Sequence, residues 1–404
     1  MNATPLLAIL LAMVPAAARA QGMTYVIPSL SVAEVADSNV FSSQSSAESD
    51  VVLRTSPALR AGYRSAPLQL TGRYTFDAEQ YRDHPALDDA LARQQADLSL
   101  RYHAGRTATF ATSASYLTTH MPQEFNELTG LNVQRAPATQ FTVTPSMTYD
   151  LSARTRASVQ FEFARSAFSE AAPGAALAGV APSIVTRTFT FGLDRHLSAT
   201  DVAHAQYREQ QFAFGGLPTN DASPDSIALG NGTSRAMLAG WTRELSALTR
   251  ATVMAGPRFS GGAVRPELTA DIHRRLKSGD VAVSVERTET VALGEAGTIE
   301  VERLTASATV RPTRRLELRA GPGISHDAAH VSGLDATVYL VDVAATRALT
   351  RWLSIEASYQ HAWERGDIPQ AGPLAFAHRV FMIRAITTAP GSPGTSARAM
   401  RAAQ

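Results

Sequence analysis

Charged side chains recur at every second position in segment after segment of this 404-residue chain, and that spacing limits the chemistry they can do. In the stretch from 68 to 77, Gln69, Thr71, Arg73, Thr75 and Asp77 alternate with Leu68, Leu70, Gly72, Tyr74 and Phe76. A two-residue period places each set on its own face of an extended strand. The same period selects Arg54, Arg60, Arg73, Asp97, Arg101, Arg156, Glu162, Asp194, Arg208, Arg265, Glu267, Asp271, Glu317, Arg319 and Glu356 as candidate functional residues. A charge on the apolar side of a membrane strand would cost about 2–4 kcal/mol at mid-depth, so these residues are expected to face water inside. There they can brace the wall as cross-strand ion pairs or line a pore and set its ion preference. With the signs nearly balanced, weak charge selectivity is expected.

Bond-making chemistry has no comparable signature. Gly321-Pro322-Gly323-Ile324-Ser325 lacks the spacing of a nucleophile elbow, and no zinc-protease, calcium-loop or phosphate-loop motif occurs. The ten histidines are scattered, and a turn is expected between His196 and His204. Arg365-Gly366-Asp367 and Asn231-Gly232-Thr233 read as ordinary turn chemistry in loops. Zero cysteines exclude disulfide frameworks, thiolate metal sites and cysteine nucleophiles. No enzyme, cofactor or metal site is expected. Thirty-seven basic and 36 acidic residues leave a net charge of +1, which argues against a nucleic-acid partner.

The elements that would hold such faces follow from the chain's layout. Leu6 to Val14 is apolar, Pro15 follows, and Ala18-Arg19-Ala20 is a small-x-small cleavage pattern, so residues 1–20 read as a signal peptide. Beyond it no stretch approaches the ~20 apolar residues of a membrane helix. Instead about eighteen alternating stretches begin near residues 25, 50, 67, 92, 107, 138, 154, 185, 201, 234, 251, 263, 280, 300, 314, 336, 352 and 376. Those near 234, 336 and 376 are less regular; setting some aside would leave sixteen.

Short turns are expected at Arg64–Ala66, His103–Arg106, Asp150–Ala153, His196–Thr200, Leu245–Leu248, Leu276–Asp280, Arg311–Arg314 and Arg347–Arg351. Mostly longer, Gly/Pro/Asp/Ser-rich loops lie between them, such as 36–48, 81–90, 119–137, 166–183 and 214–233. Eight turns and nine loops give an even eighteen strands. The apolar face carries Tyr63, Tyr74, Tyr102, Tyr116, Tyr149, Tyr207, Tyr359 and Trp363 towards strand ends, as interfacial girdles do. A soluble sandwich would have shorter strands. The fold class expected is all-β, a transmembrane antiparallel up-and-down β-barrel over residues 21–388. The tail, 389–404, reads as disordered.

Two groups of residues carry a family resemblance. Asp37-Ser38-Asn39-Val40-Phe41, Glu48-Ser49-Asp50-Val51 and Ser56-Pro57-Ala58-Leu59 resemble the opening of the β-barrel porin-2 group of outer-membrane proteins. Gly256-Pro257-Arg258-Phe259-Ser260-Gly261-Gly262, Arg311-Pro312-Thr313-Arg314-Arg315-Leu316 and Arg351-Trp352-Leu353-Ser354-Ile355-Glu356-Ala357-Ser358-Tyr359 are similar to later stretches of it. The group sits among exopolysaccharide- and exosortase-associated barrels, so the resemblance implies a porin-like barrel without naming a substrate. Such barrels often end on a closing Phe; here Phe376 and Phe381 precede a Pro/Gly/Ser/Ala tail.

The expectation is a passive channel for small hydrophilic solutes in a Gram-negative outer membrane. Its partners would be lipid, lipopolysaccharide and the barrel-assembly machinery, with no nucleic acid. An exopolysaccharide conduit, or a structural or adhesive barrel with a plugged lumen, are the other readings. The conduit would need inward aromatics, which the alternation supplies sparingly.

Overall fold

A computed structural model describes residues 22–44, 46–168, 183–215, 232–295, 297–329, 332–368 and 372–389. The expected signal peptide and all but the first residue of the expected tail lie outside the described residues. The strands are β1 (Met23–Asp37), β2 (Asp50–Arg64), β3 (Leu68–Tyr81), β4 (Asp89–Ala104), β5 (Ala108–Thr119) and β6 (Ala138–Ser152). They continue as β7 (Thr155–Phe168), β8 (Ser183–His196), β9 (Asp201–Gly215), β10 (Gly232–Ser246), β11 (Thr249–Ser260) and β12 (Ala263–Leu276). The last six are β13 (Gly279–Thr290), β14 (Ile299–Thr313), β15 (Leu316–Ala329), β16 (Asp335–Ala348), β17 (Leu353–Ile368) and β18 (Gly372–Thr388). Each begins within four residues of the start read from alternation.

Every strand pairs antiparallel with its sequence neighbours, and β1 pairs with β18, so one eighteen-stranded sheet closes on itself. All eight expected short turns fall at one end, between strands such as β6 and β7 or β14 and β15. The opposite end carries the longer connections, apart from the three residues between β17 and β18 and one tight turn. β11 and β12 are joined there by Gly261-Gly262 alone, both in the left-handed region (φ 56° and 78°) where glycine costs least. Two short motifs expected in loops fall in strands instead: Arg365-Gly366-Asp367 lies in β17, and Gly232 and Thr233 open β10. Their neighbours' alternation continues through them.

Prolines mark where the ladder is interrupted. A strand proline has no N–H to give its neighbour, so pairing fails on the side its nitrogen faces. The β2–β3 register skips Ser56-Pro57, the β6–β7 register skips Thr144-Pro145, and the β14–β15 register skips Gly321-Pro322. Pro257 and Pro266 stand opposite each other on β11 and β12. The ladder is lost on the far side of both: β10–β11 skips Gly256-Pro257, and β12–β13 stops at Leu268 and Arg287.

Above that stop, side chains join what the backbone does not. Arg258 is 1% exposed and faces Glu289 at 3.5 Å, Glu300 at 3.7 Å and Glu267 at 3.9 Å. Arg208 pairs with Glu267, Arg265 with Glu300, and Arg287 with Glu300 at 2.6 Å. Cations from β9, β11, β12 and β13 thus share carboxylates from β12, β13 and β14. Removing one partner would strand buried charge, the costly case for such clusters.

Glycine matters most where strands run closest. A Cβ on Gly256 would meet the Met237 carbonyl, and one on Gly279 the Thr309 carbonyl, both backbone atoms that cannot swing away. At Gly72 the nearest atoms would lie at 3.9 Å. Gly256→Ala and Gly279→Ala are expected to lower stability by about 1–3 kcal/mol, and Gly72→Ala to leave it nearly unchanged. The urea midpoint of the heat-modifiable folded band on a gel measures the contrast.

Candidate functional site

The barrel is polar within and apolar without. Leu59, Tyr74, Phe110, Phe141, Phe189, Val253, Ile272 and Leu304 are all more than a third exposed on the outer rows. Tyr102 pairs with Phe110 near the short-turn end, and Tyr116 pairs with Phe141 nearer the other. Tyr149 and Phe141 lie eight residues apart on β6, about 27 Å along the strand and roughly 20 Å along a barrel axis with usual tilt.

Register places all fifteen candidate residues on inner rows. They divide by partner. Arg54 bonds Glu79 at 2.7 Å, Arg156 bonds Asp150 at 2.7 Å, and Asp194 bonds His204 at 2.7 Å. Arg208, Arg265 and Glu267 belong to the cluster above the β12–β13 stop. Glu317 takes Arg311 at 2.7 Å and Arg319 at 3.8 Å, while Glu356 takes Arg319 at 2.7 Å and also Arg384. Glu267 and Glu356 are buried by these partners and brace the wall. Arg60, Arg73, Asp97, Arg101, Glu162 and Asp271 make no ion pair among the described residues.

Some of the charges without an ion pair oppose one another across the ring, although Asp97 lies among the arginines on β4. Arg60, Arg73 and Arg101 sit on β2–β4, whereas Asp271 and Glu286 sit on β12 and β13. β3 and β12 are nine strands apart in an eighteen-strand ring, so cations and carboxylates face each other across the lumen.

At the long-loop end two loops interlock over the lumen. The β5–β6 loop, which holds a 3-10 turn at Pro122–Phe125, reaches the opposite wall. Ser325 of β15 donates its hydroxyl to the Thr129 carbonyl at 2.6 Å, and the Asn132 N–H bonds the Glu364 carboxylate of β17 at 3.1 Å. Arg303 of β14 caps the carbonyls of Glu127 and Leu128. Leu131 packs with Ala292, Ile299, Val301, Ala329, Leu334, Ala336 and Val338.

The β13–β14 loop reaches the other way. Its Leu293 packs against Ala138 and Ile184, on β6 and β8, beside Phe125 of the first loop. Asn126 joins the two: its amide nitrogen donates to the Leu131 and Leu293 carbonyls at 3.3 Å each, and its oxygen accepts the Leu293 N–H at 2.9 Å. Sequence reasoning did not select Asn126 or Glu364. The available signal was Phe125, Leu128, Leu131 and Val133 in one loop and Val291-Ala292-Leu293 in the other, apolar residues that solvated loops do not need. Glu295, in the second loop, has its carboxyl pushed above the usual range by burial.

At the same end, His84 ties the β3–β4 loop down. Its Nδ1 meets Asp50 and its Nε2 meets Glu48, each at 2.9 Å, and Asp50 also accepts the N–H groups of Asp83 and His84. The hydrogen bond to Asp50, followed by that to Glu48, raises the imidazole above its ordinary value.

No family model and no curated protein matches this chain. Solved structures of similar shape include OpdO of Pseudomonas aeruginosa (TM-score 0.44, 11% identity, 91% of this chain and 97% of that one). OccAB4 of Acinetobacter baumannii is another, with a TM-score of 0.46, 8% identity and coverage of 91% and 99%. A mutant of the ferric enterobactin receptor PfeA from P. aeruginosa is a third, at 0.43 and 9%, covering 90% and 80%.

Asn126→Ala leaves the buried Leu293 N–H without its acceptor, a loss of about 1–3 kcal/mol; faster limited proteolysis within 120–137 is the expected result. The His84 contact follows pH. A raised folded pKa makes its contribution full below 6.5 and lost as pH rises through the folded value. Exchange protection of the Asp83 and His84 amides, corrected for intrinsic rates, should fall over that window, and His84→Gln should abolish the pH dependence.

Proposed function

We propose that this chain is an outer-membrane channel whose mouth is narrowed by the interlocked β5–β6 and β13–β14 loops. The observation that carries the proposal is the reversed polarity of the wall. Large apolar side chains cover the outside, while the inner rows hold Arg, Asp, Ser and Thr. In water this arrangement would expose the barrel's greasiest surface. In a bilayer it buries that surface and leaves the charges in an aqueous lumen.

Eighteen strands set the size of the lumen. At usual strand spacing and tilt the backbone ring is about 35 Å across, wider than side chains can fill. The opposed Arg60, Arg73 and Arg101 and Asp271 and Glu286 give a passing solute a polar field rather than a neutral bore. We place the mature chain, after removal of residues 1–20, in the outer membrane of a Gram-negative cell. There it would contact lipid, lipopolysaccharide and the barrel-assembly machinery, and its work would be permeation rather than catalysis. The short motifs shared with the porin-2 group support the same reading.

The two apolar clusters around Leu131 and Leu293 at the long-loop end favour a restricted mouth over a wide one. The refolded chain in a planar bilayer is expected to give steady ohmic steps, and shortening the β5–β6 loop to a tight turn should raise the step size at least twofold. Heat-modifiable barrel without conductance in either form would overturn the channel and leave a plugged, structural barrel.

A further inference from the structure

The inner wall over β2–β6 carries one combination found nowhere else among the described residues. Arg60 and Arg73 stand directly opposite each other in register on β2 and β3. Like charges so placed repel, yet neither guanidinium has an ion-pair partner among the described residues. Arg73 Nε bonds only the Thr75 hydroxyl, at 3.3 Å. Elsewhere inside the barrel, Arg54, Arg156, Arg258 and Arg319 have carboxylates, and Arg101, which has none among the described residues, does not stand opposite another arginine. The one carboxylate beside the pair, Asp97, stands opposite Arg73 in register without forming an ion pair with it.

What surrounds the pair is a sheet of hydroxyls. The row through the two arginines continues in register to Asp97, Ser115 and Thr142. The adjacent row runs Gly62, Thr71, Ser99, Ser113 and Thr144. Both rows border a concavity of about 420 Å³, within the usual range for small-molecule sites. Asp97 is held by the Gln95 side-chain amide at 3.1 Å, which leaves it further acceptor capacity. At the edge, the Tyr25 ring lies over Gly62, where a Cβ would collide with it, and its hydroxyl meets Thr71 at 3.2 Å. Tyr25 is an inward aromatic that alternation in the sequence did not single out.

Each part answers a feature of one ligand class. Two free guanidiniums take a carboxylate with bidentate, charge-assisted bonds. A row of hydroxyls with one carboxylate matches several neighbouring ligand hydroxyls, and an aromatic edge covers a pyranose C–H face. We propose that this patch is a binding site for an acidic sugar, a hexuronate, held with its carboxylate on Arg60 and Arg73. The inference rests on the channel reading for the ligand's way in. The uronate could arrive as a free sugar acid or as one unit of an acidic polysaccharide, and the recognition chemistry is the same.

Titration calorimetry of the detergent-refolded full barrel tests the site whether or not it conducts. Sodium glucuronate is expected to bind at least tenfold tighter than glucose and than acetate. Arg60→Gln/Arg73→Gln should remove at least tenfold of that affinity, with thermal stability equal or higher because a repulsive pair is gone. Arg60→Lys/Arg73→Lys should recover only part. A trigalacturonate that binds tighter than galacturonate would identify the polymer as the source; equal affinity would identify the free acid. Equal affinity for glucuronate and acetate would overturn the sugar site, as would glucuronate binding untouched in the double Gln variant. Loss of bilayer conductance with calorimetric binding intact would count against the channel alone.

Discussion

Backbone amides that cannot turn to water must turn to one another, and everything else in this barrel is arranged around that requirement. An extended strand has donors and acceptors on both edges, so a sheet inside hydrocarbon has no stable end until its last strand meets its first. Here β1 and β18 complete the ring, through the register from Ser29 to Asp37 on β1 and from Val380 to Thr388 on β18. The prolines show the rule by its exceptions. Where a nitrogen has no hydrogen to offer, the register skips a position or stops, and at Pro266 the consequence is large enough that a buried arginine–glutamate cluster takes over the joining of β12 and β13. A polar network is expensive to bury, but it is less expensive than a row of unmet amides facing lipid.

The period of two made the fold readable before any coordinates. Alternation fixes which residues share a face, and the tight turns at positions such as Asp150–Ala153 and Arg311–Arg314 fix where the chain reverses, so the strand count and order follow. It also put Arg60, Arg73, Asp97 and their fellows on one side. What alternation cannot tell is which inner charges meet. Glu356 and Asp97 look alike in sequence, yet Glu356 is enclosed by Arg319 and Arg384 while Asp97 has no cation in contact. That difference arises from side-chain reach between strands in three dimensions. The loops were less legible still. Asn126 and Leu293 are 167 residues apart, and no local pattern pairs an asparagine with a distant backbone amide.

The same residue type therefore does two kinds of work on one inner surface. Arg258, Arg265 and Arg287 are spent on wall integrity, with their charge cancelled within a few ångströms. Arg60, Arg73 and Arg101 keep theirs. Because lysine occurs once, at Lys277, almost all positive charge in the barrel is carried by planar guanidinium, which can bridge two carboxylates at once and so suits both tasks.

The interlocked loops also bear on the order in which the molecule is built. Asn132 reaches Glu364 across 232 residues and Ser325 reaches Thr129 across 196, separations far beyond those of the hairpins that make up the wall. Contacts of that range form late, since the chain between them must already be placed for closure to be affordable in entropy. The β5–β6 loop has no seat until β14–β17 exist, and the β13–β14 loop has none until β6–β8 do. A nascent barrel is thus wide open through most of its assembly, and the narrowing of its mouth is among the last steps of folding.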